Sequence, residues 1–467
     1  MQMHAKFLSF AAALSVAAGA MAQETAVLAT ATGEPAVAVE SSDIRIPENR
    51  VIFECFIRNF SPEGTFKAVE AQVGRLADLG VDVVWFMPIY KLGDQDKVGG
   101  ENGFASPYAV KDYKAVNPDM GTEQDLRDLI KAIHDNGMEV WFDWVGNHTS
   151  TDNVWVESHP EYYADGFYHP HGWNDVWQLD VNNPEMQDAM IDAMQYWVDN
   201  FDIDGYRCDY ASGPSTEFWK KATERVLKNG KRIAWLAEDD SKPELVGDGY
   251  FDYNYAWAFH DRLMDFAKSG DVDALRKATE ELNSGDAYKG RSRLVYLSNH
   301  DTVQDKGGTE DYIFGKYLKP LTVLEFTVYG MPLLYNGQEI GFSTEPVSLG
   351  IQKAVDWSNP NKEMATLIKT LIDVKHSQPA LYTSDMNGDF TSLPTSSDDK
   401  VLAYKRTAGN DNVIVMLNLS EDELPFTVNA QLPAGTYKDI FSGQVVNFTD
   451  NNSFVLPPLG YSLWLAE

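Results

Sequence analysis

The sequence predicts an α/β protein: a (β/α)8 barrel with a short insertion after strand three, followed by an antiparallel β-sandwich. Three observations predict it. Between residue 51 and about residue 376, eight short apolar runs alternate with stretches of helical periodicity, and eight parallel strands are the number that closes a barrel. The connection after the third run, roughly residues 148–183, is too long for an ordinary loop. Beyond residue 380 the helical period gives way to short apolar runs separated by Gly, Pro, Asn and Asp.

Taken in order, residues 51–57 read as strand one, followed by a helix with Phe66, Val69, Val73 and Leu76 on one face and Gly80 at its end. Residues 81–86 are strand two. Thr122 caps the next helix with Asp125 as its reciprocal partner, Leu126, Leu129, Ile130 and Ile133 form the apolar stripe, and Gly137 stops it. Strand three is read at residues 138–142. Asn183-Pro184 opens a helix bearing Met190, Ala193, Met194, Trp197 and Val198, and strand four comes next at 203–207. Ser215 caps a helix that turns Phe218, Ala222 and Val226 inward. Strands five to eight are read at 233–237, near 250–253, at 294–297 and at 331–335. In the C-terminal part the strand-like runs are 401–404, 413–419, 426–428, 437–441 and 454–464. The expected layout is a leader (1–22), a linker (23–42), a barrel (43–380) that includes the 148–183 insertion, and a sandwich (381–467).

With 44% hydrophobic residues the chain can bury large cores. Its formal charge of -32 repels nucleic acid and anionic membranes, so neither is an expected partner, and a neutral or cationic ligand is favoured. Lys6, the apolar run 7–20 and Ala20-Met21-Ala22 before Gln23 keep the order of a secretory leader. Cleavage is therefore expected after Ala22, giving a secreted or periplasmic protein. No Cys comes directly after that site, so no lipid anchor is expected, and no later run reaches the roughly 20 apolar residues of a membrane span. Cys55 and Cys208 both lie in apolar strand-like runs and are expected to be buried free thiols.

In a barrel of this kind the residues that end each strand line one face, so the positions just past each apolar run are the informative ones. Strand three leads into Asp143, Asn147 and His148. Strand four delivers Arg207 and Asp209, strand five ends in Glu238, and strand seven runs into Asn299, His300 and Asp301. Arg207 and Asp209 stand two apart on a strand and share a face, so the guanidinium is expected to hold the carboxylate ionised. Glu238 comes after Trp235, Leu236 and Ala237, apolar surroundings that raise a carboxyl pKa and keep the group protonated. Singly, each acid could be a helix cap or a surface charge; together they divide the labour of a nucleophile and a general acid.

These segments resemble the α-amylase family of glycoside hydrolases, family 13, from about residue 51 to the C-terminus. Asp143-Trp144-Val145-Gly146-Asn147-His148 is similar to the family's first motif, Gly205-Tyr206-Arg207-Cys208-Asp209 to its nucleophile motif, and Asn299-His300-Asp301 to its transition-state motif. Glu238 occupies the acid/base position. Gln178-Leu179-Asp180-Val181-Asn182 resembles the motif closing the inserted domain B, and residues 330–339 resemble the strand-eight segment. The resemblance implies a retaining hydrolase of α-1,4-glucans (starch, glycogen or maltooligosaccharides), with Asp209, Glu238 and Asp301 as catalytic residues. It also implies substrate-binding roles for Tyr108, stacked on the sugar, for His148 and His300 on sugar hydroxyls, and for Arg207. An exo-acting α-glucosidase and an α-glucan transferase share these residues; a silent carbohydrate-binding relative would not need them intact. Two features depart from the family. Ser212-Gly213 replaces a Lys-His pair that many amylases use to shape subsite +1 and to support calcium through a backbone carbonyl, which leaves calcium open with Asn147 as the candidate ligand. The insertion is also compact. His169 and His171 read as a solvated loop, and Asp94, Asp96 and Glu101 as an acidic turn.

Overall fold

The computed structural model describes residues 49–95, 98–100, 103–247, 250–284, 291–382, 389–448 and 452–467; the expected leader and linker, Asp96 and Glu101 lie outside them. Eight parallel strands, β1 (Ile52–Cys55), β2 (Val83–Phe86), β3 (Glu139–Val145), β4 (Gly205–Asp209), β5 (Ala234–Ala237), β6 (Tyr253–Tyr255), β7 (Ser292–Val295) and β8 (Met331–Tyr335), close into a barrel. Each lies beside its sequence neighbours, and β8 pairs with β1.

Side chains alternate along a strand, so residues two apart face the same way. Ile52, Val83, Trp141, Leu236, Leu294 and Leu333 pack together as an inner core. Two positions further along β1, β3 and β4 the buried side chains become Glu54, Asp143 and Arg207. A charged layer thus rests on an apolar floor that keeps water from reaching it from below. The alternate positions, among them Phe53, Cys55, Phe86, Val140 and Cys208, belong to the core shared with the helices. Both thiols are buried and free.

The Thr122–Asp125 capping box forms at α3 (Glu123–Asp135), whose four stripe residues are all buried. The helix expected over residues 66–79 is instead two, α1 (Phe66–Glu70) and α2 (Val73–Leu79), because Gln72 leaves the helical region at φ -111°, ψ 0°. Its four apolar residues stay buried, so their spacing fits both arrangements. β6 lies at Tyr253–Tyr255, later than the 250–253 expected. The insertion holds a short antiparallel pair, His148–Ser150 with Val176–Gln178. A second pair, Tyr90–Leu92 with Val110–Val116, comes after β2 and was not legible in the sequence.

The C-terminal strands are β9 (Asp389–Ser392), β10 (Val401–Ala408), β11 (Asp411–Asn418), β12 (Leu424–Thr427), β13 (Gly435–Asp439), β14 (Val445–Phe448), β15 (Ser453–Leu456) and β16 (Tyr461–Ala466). They form a six-stranded sheet, β9-β10-β11-β16-β13-β14, and a two-stranded one, β12-β15. Val401, Ile414 and Trp464 of the large sheet share a core with Phe426 and Phe454 of the small one. The run read as one strand at 454–464 is two, separated by a turn in which Gly460 donates to the carbonyl of Pro457. The other face of the large sheet contributes Leu402, Tyr404, Val413, Val415, Leu417 and Leu463, all fully buried, to the core of the barrel helices. Six such side chains, at about 1.5–3 kcal/mol each, rival the whole stability of about 5–15 kcal/mol of a folded protein. A chain truncated near residue 380 is therefore expected to lose cooperative thermal unfolding, although the sheet supplies no residue to the barrel mouth. Recovery of a stable, fully active fragment from limited proteolysis would show the sheet to be dispensable.

Candidate active site

The charged layer is built from neighbouring strands. Asp143 on β3 lies opposite Arg207 on β4, and Cys208 on β4 opposite Ala237 on β5, so one step further Asp209 stands beside Glu238. Arg207 is completely buried and touches three carboxyl groups. Its Nη1 donates to Asp143 Oδ1 at 2.8 Å and to Asp209 Oδ1 at 3.1 Å. Its Nη2 lies 3.0 Å from Glu238 Oε2, too oblique for a hydrogen bond but close enough for an ion pair. The Tyr210 N–H donates to the same Glu238 oxygen at 2.8 Å.

A second chain of contacts reaches this cluster from β1 and from the loop after β7. Glu54 Oε1 accepts from His300 Nδ1, and Glu54 is fully buried. His300 Nε2 is 2.8 Å from the Tyr108 hydroxyl and 3.4 Å from Asp301 Oδ1, and the Tyr108 hydroxyl donates to Asp143 Oδ2 at 3.1 Å. Burial opposes a charged His300, but Asp301 and Glu54 outweigh it and hold the ring up at about 9. At neutral pH both ring nitrogens then carry protons, Nδ1–H pointing to Glu54 and Nε2–H to Tyr108, which leaves the tyrosine proton free for Asp143.

Burial also separates the carboxyl groups. It raises Glu238 to about 8, with Asp209 and Asp301 adding to the rise and Arg207 opposing it. It raises Asp209 and Asp143 to about 6 each, again against Arg207. One guanidinium shared by three acids does not restore an ordinary carboxylate, so Asp209 is less acidic than its pairing with Arg207 alone suggested. The order survives: at pH 7 Asp209 is ionised and Glu238 protonated.

Asp209, Glu238, Asp301, Tyr108, His148 and His300 line one cavity of about 440 Å³, within the roughly 300–1,000 Å³ of small-molecule sites, and Arg207 lies beneath it. The ring of Tyr108 borders the cavity but stacks on His300, at 5.2 Å and 27°. His171, read as part of a solvated loop, lines the cavity too, because the inserted hairpin folds back over the barrel mouth; His169 instead bonds the carbonyl of Val176 at 2.8 Å.

Residues 38–171 and 161–396 match the sequence profile of the alpha amylase catalytic domain. The chain belongs to the α-amylase family. It is therefore a glycoside hydrolase by family, and residues 390–463 match the maltogenic amylase C-terminal domain. It is 25% identical over 464 residues to an α-amylase 2 of Dictyoglomus thermophilum, covering 90% of this chain and 76% of that protein. It is 26% identical over 394 residues to a cyclomaltodextrinase of Thermoanaerobacter pseudethanolicus, covering 77% and 64% respectively. The crystal structure of a maltogenic α-amylase from Thermotoga neapolitana superposes with a TM-score of 0.76 at 26% identity, over 90% of this chain and 99% of that one.

Asn147, the candidate calcium ligand of the sequence, faces Gln178 of the inserted hairpin. Asn147 Oδ1 accepts from Gln178 Nε2 at 3.1 Å, and the carbonyl of Ser212 accepts from the Lys242 ammonium at 2.6 Å. Among the described residues no three His, Cys, Asp or Glu side chains converge as metal ligands. Sequence reasoning missed Glu54, although a charge inside an apolar strand run was a visible signal, and it gave Asp143 no role. It also missed Tyr255, whose hydroxyl accepts from Arg207 Nε at 3.2 Å.

Proposed function

We propose that this enzyme hydrolyses α-1,4-glucosidic bonds in starch, glycogen or maltooligosaccharides with retention of configuration, Asp209 being the nucleophile and Glu238 the acid and base. The observation that carries this reading is the Asp209–Glu238 pair, on adjacent strands in register, bridged by one guanidinium and pushed apart to about 6 and about 8. Neighbouring strands lie about 4.8 Å apart. That spacing supports the close-set carboxyl pair, about 5–5.5 Å, of retaining rather than inverting enzymes.

Asp209 attacks the anomeric carbon, the bond from that carbon to the leaving oxygen breaks, and Glu238 transfers its proton to that oxygen. Water then attacks the same carbon from the opposite side, gives a proton to Glu238, and releases Asp209. Asp301 and His300 lie at the cavity wall, where they grip hydroxyls of the sugar being cleaved, and Tyr108 and His148 border the same ring. Asp143 and Tyr255 hold Arg207 in place. Matches to proteins named maltogenic amylase and cyclomaltodextrinase favour short or cyclic glucans alongside starch.

Incubation with starch, maltotetraose, pullulan and isomaltose tests the reading, with product sizing and NMR of the first-formed anomer. Shortened starch chains and an initial α-anomer are expected. A β-anomer formed first would overturn retention, and cleavage of isomaltose with starch untouched would overturn the linkage assignment.

A further inference from the structure

Glu54 is a charged residue inside an apolar strand, fully buried, and no step of the reaction uses it. Its Oε1 accepts from His300 Nδ1, and its Oε2 has no hydrogen-bond partner among the described residues. A buried carboxylate is costly unless a cation balances it. The other titratable groups close enough to feel its field, Cys55 beside it, Tyr255 on β6 and Tyr335 on β8, are held neutral by their own burial. Among the described residues the balancing charge comes from His300.

The dependence runs both ways. His300 is buried and faces Glu54 of β1, the Tyr108 hydroxyl, Asp301 of its own loop and the edge of Trp85 on β2. Burial opposes a proton on both ring nitrogens, Arg207 of β4 adds to the opposition, and Asp301 and Glu54 overcome it. With the ring a cation, the hydrogen bonds beyond it point one way: His300 donates to Tyr108, Tyr108 donates to Asp143, and Asp143 also receives from Arg207. A neutral ring that kept its Nδ1 proton would turn Nε2 into an acceptor. The Tyr108 proton would then swing to the ring, and Asp143 Oδ2 would lose its donor.

We propose that Glu54, which lies outside the cavity lining, is a positioning residue for hydrolysis: from β1 it keeps His300 doubly protonated and so directs hydrogen bonding through Tyr108 into the Asp143–Arg207–Asp209 cluster. The inference rests on the hydrolase reading and names a residue behind the site on which it depends. The effect reaches the nucleophile. Burial raises Asp209 and Asp143, and the charges of Arg207 and His300 oppose the rise. Glu238 answers to its burial, then to Arg207, Asp209 and Asp301. Losing the charge on His300 thus makes Asp209 harder to ionise, while Glu238 keeps its proton over the same range.

Glu54→Gln preserves the size of the side chain and removes its charge. With maltotetraose as substrate it is expected to move the acid limb of the pH profile up by about one unit, with the alkaline limb in place. At pH 7 kcat/KM should fall about tenfold, because a neutral ring replaces an imidazolium as donor. Glu54→Asp restores the charge and should return the acid limb most of the way. The 15N signals of the His300 ring, assigned by their absence from His300→Asn, should show two protonated nitrogens at pH 7 in the wild type and one in Glu54→Gln. The wild-type signals decide the point even where Glu54→Gln does not fold. Lowered turnover with both limbs unmoved, or a singly protonated ring in the wild type, would overturn the role of Glu54 and leave the hydrolase reading intact. A wild-type enzyme that left maltotetraose uncut would overturn both.

Discussion

Asp209→Ala is expected to lower turnover on starch by roughly 10^4 or more, the scale of loss when a nucleophile is removed from a cooperating set. Folding should be unaffected, because Asp209 stands at the open end of the barrel and Arg207 keeps Asp143 and Glu238 as partners. Azide supplies the decisive readout. With α-maltosyl fluoride as donor, azide should enter the space left by the carboxylate and attack the anomeric carbon from that face, giving the β-maltosyl azide. The loss has an electrostatic consequence as well: Asp209 helps to raise Glu238, so the variant's acid should ionise at lower pH than the wild type's. An α-azide would point to loss of the acid/base instead, and near-normal starch hydrolysis would refute the mechanism.

Glu238→Gln is expected to cost about 10^2–10^4 in turnover on starch, but far less on an aryl α-maltoside, whose phenolate departs without a proton. The wild-type profile should be a bell. Activity needs Asp209 ionised, so it falls as pH drops through about 6; it needs Glu238 protonated, so it falls as pH rises through about 8. Asp143 titrates near Asp209 and both contact Arg207, so the acid limb belongs to the cluster rather than to one residue. Glutamine has no proton to lose, and the alkaline limb should vanish in the variant. Equal losses on starch and on the aryl substrate, or an unchanged alkaline limb, would remove Glu238 from the acid role.

The barrel was legible because each of its levels repeats: apolar runs of four to seven residues, helical stripes between them, and carboxylates just past the runs. The break between α1 and α2 was not, since a spacing of 66, 69, 73 and 76 buries the same residues with or without it. β9 and β14 escaped notice because neither carries a run of buried residues; Asp389 and Val445 are exposed. At the site, strand-end logic named Asp209, Glu238 and Asp301 of the cavity wall, but not Asp175 or Asp305, which lie in loops. It could not weigh Arg207, whose charge is divided among Asp143, Asp209 and Glu238, a fact of three-dimensional packing. Nor could it find His171 and Trp173 there, because no periodicity governs where an irregular insertion folds back.

The contact between Glu54 and His300 spans 246 positions of the chain and joins the first barrel strand to the loop after the seventh. Until it forms, His300 has only one of the two carboxylates that hold it as a cation, its neighbour Asp301. A growing chain that has made β4 and β5 already owns both principal acids and Arg207, yet it lacks Asp301 and His300, which also act on their charges. Contacts between ends so distant in sequence are among the last a folding chain completes. Turnover regained on refolding thus times the meeting of the two ends of the barrel, whereas a signal from helices or strands times only the pieces.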